Sequence, residues 1–400
     1  MSGIKFETKW LAPLGVLCAF LVLWSFMFFP MLNGTPKNVP YAVLSLDEGV
    51  TSMGATVNVG DQLVSKLTDP DAASALSTAS ASSSDGDSET PIKWTVLNSQ
   101  QELDEAMDGN DYYGAIVIPE DFTAKQLAAK QAETQTEAQS AQSDQSGSDA
   151  DKPTIEIITN GAKNASVAQQ LSTQMGSTLK QLGVNVKSTT VHGYDLGTTT
   201  GAQMIGQLSA APTIAMSASC IMIMFSMTRA GKNASRKERL ARFGIQVGYA
   251  LVLSAGVAGL ACFLMGVIGG MTAPFATIFP FLWMASFCIM SMLIGLMTLC
   301  FPIGAIGMFA LMGTMGCAYT AHEMLPTFFH DWIYPWSPAR YVVDGVRSVI
   351  FLGDGAFNAS LGALSVCLII GLVAAAIGLA LPVAQTKPTL SQTRQWHDRT

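Results

Sequence analysis

Arg340, Asp344 and Arg347 are spaced four and three residues apart, which on a helix puts all three charges on one face. Such a stripe has two readings. Solvated, it is a local series of ion pairs, each worth about 0.3–0.5 kcal/mol. Facing a desolvated cleft, it lines a polar path or docks another domain, and removing one partner then strands a charge at a cost on the order of 3–5 kcal/mol. Val342, Val343, Val346, Val349 and Ile350 fill much of the rest of that helix. A second charged set lies in residues 228–242, where Arg229, Lys232, Arg236, Lys237, Arg239 and Arg242 face a lone Glu238. The motifs of catalysis are missing. The chain has no G-x-x-x-x-G-K-[ST] loop to cradle ATP phosphates, no H-E-x-x-H and no G-x-S-x-G. The four histidines are scattered and no C-x-x-C occurs, so neither a metal nor another cofactor is expected and the chain reads as a non-enzyme.

The elements that must position these charges are membrane helices. A bilayer core takes roughly 20 apolar residues to cross as helix. Trp10–Pro30, Ile205–Met227, Phe243–Ile268, Ile278–Cys300, Ile303–Thr320 and Leu361–Leu381 are six such runs. The fold class is therefore a polytopic α-helical membrane protein of six transmembrane helices. The first run ends in Phe28-Phe29-Pro30-Met31-Leu32 with no small-residue cleavage site, so it reads as an uncleaved anchor and not a signal peptide. All seven cysteines fall in these runs, where free Cys packs as a small hydrophobe. The spans carry almost no ionisable residues, which disfavours a proton-coupled carrier.

Charge sets the orientation. Lys5 and Lys9 precede the first span, the basic loop at 228–242 follows the second, and Lys387, Arg394 and Arg399 stand in the tail from 382. Six spans place residues 1–9, that loop and the tail on one side, which the positive-inside rule makes cytoplasmic. Residues 31–204 then form one extracytoplasmic domain, with 22 of the chain's 29 acids and 9 of its 22 bases. That acidity excludes nucleic acid as a partner.

The domain reads as α/β or α+β. Tyr41–Leu46, Lys93–Leu97, Tyr112–Ile118 and Thr154–Thr159 have the apolar runs of strands. Helical spacing covers Val59–Leu67, Ser99–Met107, Phe122–Leu127 and Ser166–Leu182, with Ser99 and Glu102 spaced as a capping box. Asp69–Thr90 and Gln131–Asp151 are low in hydrophobicity and read as disordered inserts. Residues 321–360 form an exterior re-entrant hairpin rich in Phe, Tyr and Trp, side chains that favour the membrane–water interface. Gly244 and Gly248 form a G-x-x-x-G pair at the start of the third span.

Several of these segments resemble a known family. Tyr41-Ala-Val-Leu-Ser-Leu-Asp-Glu-Gly49, Asn58-Val-Gly-Asp-Gln-Leu-Val64, Gly109 with Tyr112-Tyr-Gly-Ala-Ile-Val-Ile-Pro-Glu-Asp-Phe122, and Lys152-Pro-Thr-Ile-Glu-Ile157 look like the exterior domain of the phage infection protein (YhgE/Pip) family. Leu325–Phe329, Tyr334–Tyr341 and Asp344–Arg347 resemble the hairpin that the wider type-2 ABC exporter permeases place before their last span. This chain lacks the long coiled-coil-like exterior region of many family members. The resemblance implies a permease subunit in a bacterial plasma membrane, dimeric with itself or a related permease. It would export an amphiphilic or cell-envelope cargo, with ATP hydrolysed by a separate ABC ATPase subunit. It also implies that the basic residues Arg229 to Arg242 form the ATPase-docking loop. The alternative is an envelope scaffold or surface receptor, for a phage or as a secretion component, with no transport cycle.

Overall fold

The computed structural model describes residues 12–52, 55–68, 91–138, 153–181, 183–197, 199–228 and 234–381. Asp69–Thr90, most of 131–151, the first eleven residues and the tail from 382 lie outside them. The chain enters through the apolar helix α1 (Ala12–Leu32) and passes directly into an α/β domain. Five strands, β1 (Val39–Ser45), β4 (Ile92–Leu97), β5 (Gly114–Ile118), β6 (Thr154–Asn160) and β7 (Asn185–Val191), pair in the order β4-β1-β5-β6-β7. β1 is parallel to both β4 and β5, β5 is antiparallel to β6, and β6 is parallel to β7. β2 (Val50–Ser52) and β3 (Ala55–Val57) make a separate small hairpin.

Both faces of the central strands are covered, which is why β1 and β5 are nearly continuous apolar runs. Strand periodicity divides them. Tyr41, Val43, Ile116 and Ile118 face α2 (Val59–Thr68) and α5 (Gly161–Gln181), whereas Ala42, Leu44, Ala115 and Val117 face α3 (Gln100–Asp108). The Asp47 carboxylate closes the end of β1 by accepting from the Gly60 amide at 2.9 Å and the Thr123 amide at 3.1 Å. That ties the strand to the first turns of α2 and α4 (Phe122–Ala138).

Four expectations change here. The Ser99 hydroxyl caps α3 by accepting from the Glu102 amide at 3.1 Å, but the Glu102 carboxylate accepts from Asn98 at 3.0 Å and not from Ser99. The capping box is therefore half formed. Helix α4 continues to Ala138, so 131–138 is helical where composition suggested disorder. α5 starts at Gly161 and is broken at Asn164, whose φ of −156° is extended. β7 adds a fifth strand to the sheet, its side chains mostly polar or exposed as befits an edge.

Among the described residues, five helical stretches are long and apolar enough to cross a membrane: Met204–Thr228, Arg236–Ile268, Phe275–Leu299, Phe301–Tyr319 and Ala359–Ala380. The first comprises most of α6 (Thr199–Ala211), a π-helical turn at Pro212–Met216 and α7 (Ser217–Thr228). The others are α8 (Arg236–Phe263) with a π turn to Ile268, α9 (Phe275–Leu299), α10 (Phe301–Gly313) with α11 (Met315–Tyr319), and α13 (Ala359–Ala380). The described side chains of α1 contribute a shorter apolar stretch, Leu21–Leu32. α9 is the axis of the bundle, with Phe281, Leu282, Ile289, Leu293 and Ile294 fully buried. It packs against α13 backbone to backbone, since a side chain on Gly295 would overlap the Gly371 carbonyl. Cys300 is exposed in the extended link between α9 and α10, not inside a span. A side chain begun at Gly244 or Gly248 would meet no other described residue, so the G-x-x-x-G pair marks no close helix approach among the described residues.

Between α11 and α13 the chain forms the aromatic hairpin. Short turns at His322–Met324, Phe329–Ile333 and Tyr334–Trp336 lead into α12 (Pro338–Arg347). α12 buries Ala339, Val342, Val343 and Val346 in the bundle core. Gly345 lies directly on the Phe281 ring, leaving no room for a larger side chain.

Candidate functional site

With its valine face in the bundle, α12 turns Arg340, Asp344 and Arg347 toward the α/β domain. They line a pocket of about 100 Å³ with Tyr113, Lys163 and Asn164 of that domain, with Thr320 just past α11, and with His322, Glu323 and Tyr334 of the hairpin. The stripe is thus half-buried at a junction. Tyr113 stands at the entry to β5 and donates its hydroxyl to Glu323 Oε2 at 2.5 Å. Burial and the adjoining Glu323 carboxylate hold that phenol well above its usual pKa. The break at Asn164 opens the first turn of α5 and leaves Lys163 beside the pocket. Its ammonium donates to the Asp111 carbonyl at 2.5 Å and lies 5.4 Å from the centre of the Tyr113 ring. Burial lowers its pKa, with Glu323 and Asp111 opposing. Apolar packing continues the joint: Ala321 and Met324 belong to the core of the α/β sheet.

The charges on α12 are incompletely matched. The Arg340 guanidinium is sandwiched between the rings of Tyr334 at 4.3 Å and Tyr341 at 4.5 Å. Its Nη1 donates to the Tyr334 carbonyl at 3.4 Å. Its Nε is buried without a hydrogen-bond partner and sits 3.9 Å from Asp344 Oδ2, an ion contact too long for a hydrogen bond. Arg347 has no hydrogen-bond partner among the described residues. Burial raises the Asp344 pKa, against the pull of Arg347 and Arg340. The His322 ring packs against His330 at 4.0 Å and Tyr334 at 4.5 Å. Its pKa is lowered, first by burial and then by His330. Nothing in the sequence joined Tyr113, Lys163 and Glu323 to the stripe. The one available signal was Glu323, an acid between an apolar span and an aromatic hairpin.

The second charged set sits at the far end of the bundle. Residues 236–242, expected to be part of a loop, are the first two turns of α8. Ser235 and Glu238 form a complete capping box there, with hydrogen bonds of 3.3 and 3.1 Å. Arg236 Nη2 donates to the Ala380 carbonyl at 3.1 Å. Arg239 donates to the carbonyls of Gly378 at 2.5 Å and Leu381 at 3.3 Å. These are the last carbonyls of α13, which the helix itself leaves unpaired and which carry the negative end of its dipole. Arg242 donates to the Thr228 carbonyl at the end of α7 at 3.4 Å. Lys237 is exposed. Arg229 and Lys232 lie outside the described residues.

Residues 9–380 match the family model described as ABC-2 family transporter protein. No curated protein and no solved structure matches the chain.

Proposed function

The chain belongs to the ABC-2 family transporter proteins, membrane components that typically work with an ATPase, and from that we propose that it is the permease subunit of an ABC exporter. It is a multi-pass protein of the plasma membrane. In this reading α1 is the first of six spans and the termini and basic end of the bundle are cytoplasmic. The α/β domain stands outside the cell, and the finer affiliation is with the YhgE/Pip group. Two permeases assemble with a separate ATPase that docks at Arg229, Lys232, Lys237 and the neighbouring arginines of α8. The cargo is an amphiphile or a cell-envelope component. The observation that carries the reading is the family match across nearly the whole chain. The tight joint between the α/β domain and the hairpin preceding the last span supports it. A domain coupled to the bundle through Tyr113, Glu323 and Ala321 suits a transport cycle better than a passively tethered receptor.

The decisive experiment is purification of the full chain with the ATPase encoded beside it. Stoichiometric recovery and increased ATP turnover on adding the permease are expected. No ATPase partner and no change in turnover would remove the exporter reading and leave the scaffold. Topology is tested separately in a cysteine-free background. Gln101→Cys should react with an impermeant thiol reagent in intact cells and Lys237→Cys should not.

A further inference from the structure

We propose that the pocket beneath the α/β domain binds the phosphate of an anionic amphiphile, held by Arg347, Arg340 and Lys163. Arg347 has no hydrogen-bond partner among the described residues, and the buried Nε–H of Arg340 has none. The Tyr334 hydroxyl likewise donates to no described residue. On the acceptor side, Glu323 already receives the Tyr113 hydroxyl. Burial disfavours the ionised form of Asp344. Three basic side chains therefore share the pocket with two acids, Glu323 and Asp344, and remain in excess. The buried, unmatched Nε–H of Arg340 is costly unless an acceptor completes it, and the surplus of positive charge around it favours an anion. Arginine's planar fork suits phosphate oxygens, and the Tyr334 and Tyr341 rings fix the Arg340 plane in advance.

Size and position narrow the class. The pocket is about 100 Å³, well under the roughly 300–1,000 Å³ of sites that enclose a whole small molecule. It takes a group and leaves the rest of the ligand outside. Phe328, Trp332 and Trp336 of the same hairpin are large and exposed, and such side chains settle at the membrane–water interface. The pocket then lies at headgroup level, with Thr320 of its lining one residue beyond the Phe301–Tyr319 span. A phosphate whose acyl or prenyl tail remains in the bilayer fits both conditions. The inference rests on the exporter reading only for what such a ligand does there, as cargo or as a bound lipid. Its test does not involve the ATPase, so the two can fail separately.

The full chain is released from membranes into detergent, exchanged with phosphatidylglycerol or phosphatidylcholine, and weighed intact to count retained lipid. Preferential retention of phosphatidylglycerol is expected. Arg347→Gln should weaken it about tenfold, as expected for loss of a charge-assisted contact. Lys163→Gln, on the other side of the pocket, should weaken it in the same direction, which keeps the test valid if one variant fails to fold. In a parallel arm, lipid-free protein is melted in inorganic phosphate and in chloride at equal ionic strength. Retention of phosphatidylglycerol, with or without stabilisation by phosphate, supports the proposal. Stabilisation by phosphate without lipid preference makes the ligand a free anion and overturns the amphiphile. Equal retention of both lipids with no phosphate effect, or two folded variants that retain lipid like the parent, overturns the site.

Discussion

The two ends of the bundle use arginine in opposite ways. At the basic end, Arg236, Arg239 and Arg242 are spent on the carbonyls that close α13 and α7. At the α/β end, Arg347 makes no hydrogen bond among the described residues and Arg340 keeps a buried N–H unmatched. Counting positive charges would rank the basic end as the stronger site. Counting satisfied donors reverses that order. An arginine that completes a helix terminus contributes to the fold, whereas one left unmatched in a cleft is poised to receive a ligand.

The sharpest way to break the contrast is to unseat α12. Gly345→Leu would drive a side chain into Phe281, and overpacking costs about 1–3 kcal/mol or more. It should lower the melting temperature further than the loss of any single polar contact at either end, and abolish lipid retention with it. An unaltered melting curve would show that α12 is not held against α9 in this way.

Next in size is Arg239→Gln. It removes donors from Gly378 and Leu381, and hydrogen bonds involving a charged partner contribute about 1.5–3 kcal/mol, at the low end for a partly exposed pair. Thermal stability should fall while lipid retention persists. Arg347→Gln should do the reverse, losing lipid retention at little cost in stability. If both variants lose stability equally, the distinction between satisfied and unsatisfied arginines is wrong.

Smaller still is Tyr113→Phe. It leaves Glu323 without the phenol that donates to it at 2.5 Å, a loss of about 1–3 kcal/mol for a part-buried acceptor. The effect should be local: hydrogen exchange in β5 and around His322–Met324 should rise while α9 stays protected. Uniform exchange changes across the bundle would show that the phenol is not a joint between the two units.

How much of this was legible follows from the range of each signal. β1 and β5 were readable because a strand covered on both faces is apolar nearly throughout, and β6 because Ile155, Ile157 and Ile158 stand out beside Glu156. β7 was not, because Lys187, Ser188 and Thr189 on the sheet edge look like loop residues. The i, i+4, i+7 stripe was visible as local periodicity, but its surroundings were not. Tyr113 and Lys163 are far from it in sequence, and only the break at Asn164 and the sheet order bring them to it. The arginines of α8 were visible as charge. Their engagement with α13 was hidden by the long separation, such as the 139 residues between Arg239 and Gly378.

The smallest expected effect is one of pH, and it sharpens the comparison because, among the described residues, the α/β end has a histidine in its lining and the basic end has none. The His322 pKa lies below its ordinary 6.5, chiefly through burial and then through His330, with Arg340 and Lys163 adding to the shift and Glu323 opposing it. Between 6.5 and the lowered value the unfolded chain binds more protons than the folded one, so stability rises with pH in that window and is lost as pH falls through it. Asp344 has the opposite sign: its pKa is raised above 3.8, so its contribution is present at low pH and declines as pH rises through its folded value. Melting followed by tryptophan fluorescence should therefore shift down between about pH 7.5 and about pH 5.5. His322→Gln should flatten that dependence, and Asp344→Asn should steepen it if its window overlaps. A slope unchanged by His322→Gln would place the proton elsewhere and leave the junction's hydrogen bonds and arginines as its only polar determinants.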